Sequence, residues 1–180
     1  FFGRYEETTA LVADMSGALY WPGERTLIVA DLHLEKASSF AARGQMLPPY
    51  DTRETLERLA VAIDRYEPVR VIALGDSLHE SGAADRISTG DLEILGILQE
   101  GRQWLWVTGN HDPEIGECLG GSVVDRVVIG GLRLQHEPTV GLVSHEIAGH
   151  LHPAARLSIY GHHVRRPCFV GNGRRLILPA

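Results

Sequence analysis

TLIVADLH, residues 26–33, is an apolar run that stops on an acid and a histidine, and the same pattern recurs along the chain. VRVIAL (69–74) stops on GDSLHE with Asp76, WLWVT (104–108) on GNHD with Asn110, His111 and Asp112, and LRLQ (132–135) on His136. Short β-branched and aliphatic runs read as buried strands, and LSIY (157–160) reads as a further one. Between the first two lies DTRETLERLAVAIDRYEP, with Asp51 as N-cap and Glu54 completing a capping box. Leu56, Leu59, Ala60 and Ile63 share one face of that helix, and Pro68 stops it. TGDLEILGILQE (89–100) reads as a second helix between two strands. Strands alternating with such helices imply βαβ units and an α/β fold.

The second half changes character. VVDRVVIGGLRLQHEP (123–138) reads as two strands joined at Gly130-Gly131, and CFVGNGRRLILP (168–179) as another pair turning at GNG. The expectation is two packed sheets with helices outside, in one domain spanning residues 1–180.

At 180 residues and 44% hydrophobic, the chain can bury a core that needs no staples. Cys118 and Cys168 lack C-x-x-C spacing, which indicates neither a disulfide framework nor a thiolate zinc site and suits a reducing cytoplasm. No apolar run reaches the length of a membrane span. The net charge of −6 is unevenly spread: no acid follows Glu146, whereas Arg156, Arg165, Arg166, Arg174 and Arg175 do. That basic segment is either a solvated surface or a phosphate-binding patch.

In open α/β sheets the carboxyl ends of strands face one crevice, so the polar clusters above can converge. AGHLHP (148–153) adds His150 and His152, two residues apart and projecting to one face of an extended chain. Singly, each cluster has an ordinary explanation: Asp31 as an N-cap, GD as a turn, His136 as a hairpin residue, His145 as a bystander. Together they form an oxygen and nitrogen donor set without thiolate, suited to Mn, Fe or Zn. The set exceeds what one ion needs, which points to two ions with a shared carboxylate. Two carboxylates around two divalent ions leave a centre of about +2, matched to a phosphate ester.

The ordered series D-x-H, G-D, G-N-H-D, a single His and G-H-x-H resembles the calcineurin-like metallophosphoesterase superfamily. The resemblance implies a four-layer α/β/β/α fold of two mixed sheets flanked by helices. It also implies that Asp31, His33 and His152 hold one divalent ion and Asn110, His136 and His150 the other, with Asp76 bridging. A metal-bridging hydroxide would attack phosphorus in line, and His111 would act as the catalytic histidine. Manganese is the foremost candidate, with iron or zinc as alternatives. One position departs from the family pattern. Its second motif usually ends in Asp or Asn, which orients the catalytic histidine; His79 stands there, so Asp112 or Glu80 substitutes, or His79 faces substrate.

Within the superfamily, GALYWPGERTLIVADLHLEK, RGQMLPPYDTRETL, GEC to HEP, and RRLILPA are similar to the bacterial ligase-associated DNA damage response branch of phosphodiesterases or endonucleases. Its members usually continue beyond LPA with a glycine-rich tail. That likeness implies a nucleic-acid substrate and functional association with an ATP-dependent DNA ligase and a helicase. Arg165 and Arg166, with Lys36 and Arg43, are then the phosphate-contacting candidates. A small-molecule phosphatase, a cyclic-nucleotide phosphodiesterase and a non-catalytic scaffold are the alternatives. No long insertion interrupts the motifs, so the substrate cap is small. An exposed hairpin edge in the second half would suit a two-fold homodimer.

Overall fold

A computed structural model describes residues 10–112, 115, 117–143 and 145–180. The first sheet is built from β1 (Val12–Ala13), β2 (Leu19–Trp21), β3 (Thr26–Val29), β4 (Arg70–Leu74), β5 (Gln103–Val107) and β6 (Ser122–Val124), in that spatial order. β3 to β6 run parallel, and β1 and β2 return antiparallel on one side. The second sheet draws on β7 (Val127–Ile129), β8 (Leu132–Gln135) and β9 (Glu146–Ala148). A separate hairpin follows, β10 (Ala154–Ile159) and β11 (His162–Pro167), and then β12 (Val170–Gly171) and β13 (Arg175–Ile177) complete the second sheet. Its order is β12-β13-β9-β8-β7, with β13, β9 and β8 parallel and an antiparallel strand at each edge.

The strand alternation splits the core in two. Leu27 and Val29, Val71 and Ala73, and Trp104 and Trp106 point to one face. There they meet Ala37 of α1 (Lys36–Ala42), Leu56, Leu59 and Ile63 of α2 (Asp51–Tyr66), and Leu95 and Leu98 of α3 (Thr89–Gln99). The intervening Ile28, Ile72, Leu74, Leu105 and Val107 point the other way and pack on Leu134 and Ile147 of the second sheet and on Leu178, just after its last strand. Each such fully buried aliphatic contributes about 1.5–3 kcal/mol, so this inter-sheet layer fixes how the two sets of strand ends meet.

The expected two mixed sheets and the long helix are present, and three details differ. Asp51 lies in the first turn of α2 rather than at its cap. Tyr50 holds the cap position without a side-chain bond, and Asp51 Oδ2 instead accepts from the Ala37 amide at 3.0 Å, tying α1 to α2. The short α1 had no periodic signal in the sequence. LSIY is not buried: Leu157 is 49% and Tyr160 99% exposed, because the partner strand HHVRRP offers almost no apolar face to pack against. The three helices of the described residues pack on the first sheet, and the outer face of the second sheet carries Gln135, Glu146 and Arg175, hydrogen-bonded to one another.

Candidate metal centre

Every sequence-picked donor leaves a strand at its carboxyl end. Leu74 pairs with Val107 and Gln135 with Ala148, so the loops carrying Asp76, Asn110, His136 and His150 start at matched levels. The two sheets are stitched at this edge by His150 N, which donates to both oxygens of Asp31 at 3.1 and 2.9 Å, while within the second sheet Gly149 N donates to His136 O at 3.0 Å. Asp31, His33, Asp76, His150 and His152 all have positive φ, between 43° and 69°. Such backbone costs of order 1–3 kcal/mol per residue outside glycine and persists only where surrounding bonds over-determine it. Here the bonds His33 N to Asp76 O (2.9 Å) and Leu34 N to Ser77 O (2.8 Å) do so.

The result is two donor groups that share one carboxylate. Asp31, His33, Asp76 and His152 offer ligand atoms all within 4.8 Å of one another, and so do Asp76, His136 and His150. His33 Nε2 faces His152 Nε2 at 3.3 Å, His150 Nδ1 faces His136 Nε2 at 3.1 Å, and His136 Nε2 lies 3.4 Å from Asp76 Oδ1. Because the Leu74 carbonyl can only accept, His136 Nδ1 at 2.9 Å must carry a proton, which leaves Nε2 as the nitrogen that faces Asp76 and would turn to a cation. Imidazole nitrogens and carboxylate oxygens aimed at common points fit divalent cations. Asn110 joins His136 on the wall of a cleft of about 400 Å³ that also has Asp125, Arg126 and Glu137 on its rim.

The titration behaviour follows from burial and these contacts. Burial raises Asp31, with the Asp76 and Asp112 charges adding to it against the opposing pull of His136 and the His150 amide. Asp76 goes the other way: burial would raise it, but bonds from His136 and the His111 amide hold it below the carboxylate range. Burial lowers His33 to about 4 and also lowers His152, so both present neutral, metal-competent rings at neutral pH. Burial would lower His136 as well, but its bonds to Asp76 and Leu74 raise it.

His111 stands at the rim, half exposed, with Nε2 3.9 Å from Asp76 Oδ2. Its orienting partner is neither Asp112 nor Glu80. Nδ1 donates to the backbone carbonyl of His79 at 2.8 Å, so position 79 orients His111 through its main chain and its side chain is released for other work. The His79 ring lies against His111 (centroids 5.9 Å), His33 (5.4 Å) and Phe40 (5.7 Å), beside the site. Glu80 is taken by Arg43 and Arg86. Asp112 is fully buried and accepts four amides, Asp76 N and Gly109 N on Oδ1 and Ser77 N and Leu78 N on Oδ2. It is a clip between the β4 and β5 loops. Sequence reasoning missed that role, and also Gly109 and Gly75. A Cβ on Gly109 would sit 2.2 Å from Asp76 N, and one on Gly75 2.5 Å from the His136 ring. The signal was available, since both glycines directly precede site residues.

Of the sequence-picked phosphate contacts, Lys36 is exposed on α1, Arg43 is paired with Glu80, and Arg165 and Arg166 fall on opposite faces of the β10–β11 hairpin. His145 is exposed and joins neither donor group.

A scaffold of two packed mixed sheets with an Asp/His centre at the strand ends is the architecture of a metal-dependent phosphoesterase, and the chain belongs to the calcineurin-like phosphoesterase family, whose model matches residues 24–162. It is similar to the solved structure of Pseudomonas putida nuclease MPE, at 31% identity and a TM-score of 0.73 over 97% of this chain and 82% of that one. No curated protein matches it closely enough to count as a relative. No helix of the described residues is long and apolar enough to cross a membrane.

Proposed function

We propose that the chain hydrolyses phosphodiester bonds of nucleic acid at a centre of two divalent ions, manganese foremost. The observation that carries this reading is the pair of donor groups sharing Asp76. Asp31, His33 and His152 would hold one ion, Asn110, His136 and His150 the other, and Asp76 would bridge them. Ions held there would supply Lewis acidity at the phosphoryl oxygens and the activation of water. The chain's own work lies around them. The His136–Leu74 bond fixes that ring, and the strained loops hold Asp31 and Asp76 without reorganisation. His111, oriented by the His79 carbonyl, holds a proton at Nε2 for the leaving oxygen. The His79 ring lies within reach of the substrate flank. A nucleic-acid substrate is favoured by the rim, which is open at His111, and by the basic hairpin that follows His152. The Pseudomonas putida relative is described as a nuclease. Two free cysteines suit a cytoplasmic setting.

The test compares the wild type with His111→Ala and Asp76→Asn on bis-p-nitrophenyl phosphate, single-stranded DNA, duplex DNA and RNA, with manganese present. Asp76→Asn should lose bound metal and activity, and His111→Ala should keep metal but turn over about 10²–10⁴-fold more slowly on unactivated diesters. Equal rates in all three proteins would refute the chemistry. Cleavage of mononucleotides alone would leave the chemistry standing and make the chain a small-molecule phosphoesterase.

A further inference from the structure

The β10–β11 hairpin belongs to neither sheet and starts two residues after His152, its base closed by the bond Cys168 N to Pro153 O at 3.0 Å. Its register pairs Arg156 with Arg165, and the next rung on the same face pairs Ser158 with His163. The opposite face carries Leu157 with Val164, and Ala155 with Arg166. Arg156 and Arg165 are both exposed. Directly opposed residues in an antiparallel pair have Cβ atoms about 4.5–5.5 Å apart, and like charges so placed repel. Nothing on the hairpin offsets that repulsion, because no Asp or Glu follows Glu146 in the sequence. Two guanidiniums held together on a ribbon tied to the metal centre make a rigid fork for an anion. Arg156 is four residues from His152, a reach of at most about 14 Å, which keeps the fork within a few nucleotides' length of the metal centre.

Resting on the nucleic-acid reading above, the geometry points to the Arg156–Arg165 rung as a clamp for a non-scissile phosphate of the substrate strand. The enzyme thereby favours polymeric over small phosphodiesters. Arg166, on the other face, is not part of the clamp, which divides the Arg165-Arg166 pair that looks like one unit in the sequence.

The experiment measures binding and turnover of a single-stranded oligonucleotide against turnover of bis-p-nitrophenyl phosphate, in wild type, Arg156→Gln/Arg165→Gln and Arg166→Gln. For the double variant the ratio of oligonucleotide to small-diester turnover should fall about tenfold. The slope of log Kd against log salt should become shallower by about 0.7, the contribution of one neutralised phosphate on a single strand. Arg166→Gln should change both by much less. An unaltered ratio and slope in the double variant, with the wild type cutting the oligonucleotide, overturns the clamp alone. A loss in Arg166→Gln as large as that in the double variant overturns the face assignment and with it the clamp. If the double variant instead changes molecular mass by light scattering while oligonucleotide binding holds, the ribbon joins copies of the chain and the clamp is wrong. A wild type that cuts small diesters but no nucleic acid refutes the substrate class itself.

Discussion

Replacing Asp112 by Asn keeps the volume and one acceptor oxygen but converts the other oxygen to a donor. Each carboxylate oxygen of Asp112 accepts two backbone amides, so two of the four N–H groups would lose their partner and face an NH₂ group instead. Hydrogen bonds to a charged acceptor contribute about 1.5–3 kcal/mol each, giving a loss of about 3–6 kcal/mol. Part of this is regained, because burial already pushes the Asp112 carboxyl up and the neutral amide is easier to desolvate. The net expectation is therefore near the lower end, about 3 kcal/mol. At about 2–4 °C per kcal/mol for a chain of this length, Tm should fall by roughly 6–12 °C. Thermal unfolding followed by circular dichroism in chelator isolates the chain's own stability from that of any bound ion. Bound manganese per chain should fall as well, since the Asp76 amide is one of the four. A Tm within about 2 °C of wild type combined with slow turnover would refute the clip and restore Asp112 as a partner of His111.

Three further perturbations test neighbouring links. Gly109→Ala places a methyl against Asp76 backbone and carboxylate, so manganese affinity should fall by at least about tenfold in a calorimetric titration although no ligand has been changed; an unaltered Kd would contradict the close approach. His79→Ala should leave His111 oriented, because the partner is a main-chain carbonyl. Any slowing then reports the ring's own contact with substrate, whereas a pH–rate profile shifted as in a misoriented His111 would count against the arrangement. Asp14 is held below the carboxylate range by the Ser16 amide, which with Tyr66 and Arg65 outweighs burial. A lowered folded pKa means that the stabilisation is complete above the unfolded carboxylate pKa and is lost as pH falls below it. Asp14→Asn should therefore cost about 1–3 kcal/mol at neutral pH, with the gap to wild type closing under acid; a gap independent of pH in urea titrations would contradict it.

Much of this molecule is legible in the sequence because the strands of the first sheet are covered on both faces. Such strands must be continuously apolar, and the polar residue that ends each run marks both a strand terminus and a ligand position. Leu27, Ile72 and Trp106 thus announce the sheet, while Asp31, Asp76 and Asn110 announce the crevice. What the sequence hides is set by contacts distant along the chain. α1 is short, and its placement depends on Asp51, fourteen residues beyond Ala37. LSIY has the composition of a core strand, yet its partner is basic and both strands stay exposed. The orientation of His111 falls to a main-chain carbonyl, which no residue type can signal, and the four amides on Asp112 belong to loops that only the fold brings together.

On the proposed reading one carboxylate, Asp76, would be common to two metal positions with otherwise separate ligands. Manganese titration of chelator-treated protein, read by plasma mass spectrometry and activity together, tests it directly. Wild type should take up two ions, His33→Ala and His150→Ala should each weaken a different one, and Asp76→Asn should weaken both. A single ion in the wild type, or an Asp76→Asn protein that still binds two with wild-type affinity, would contradict the shared centre.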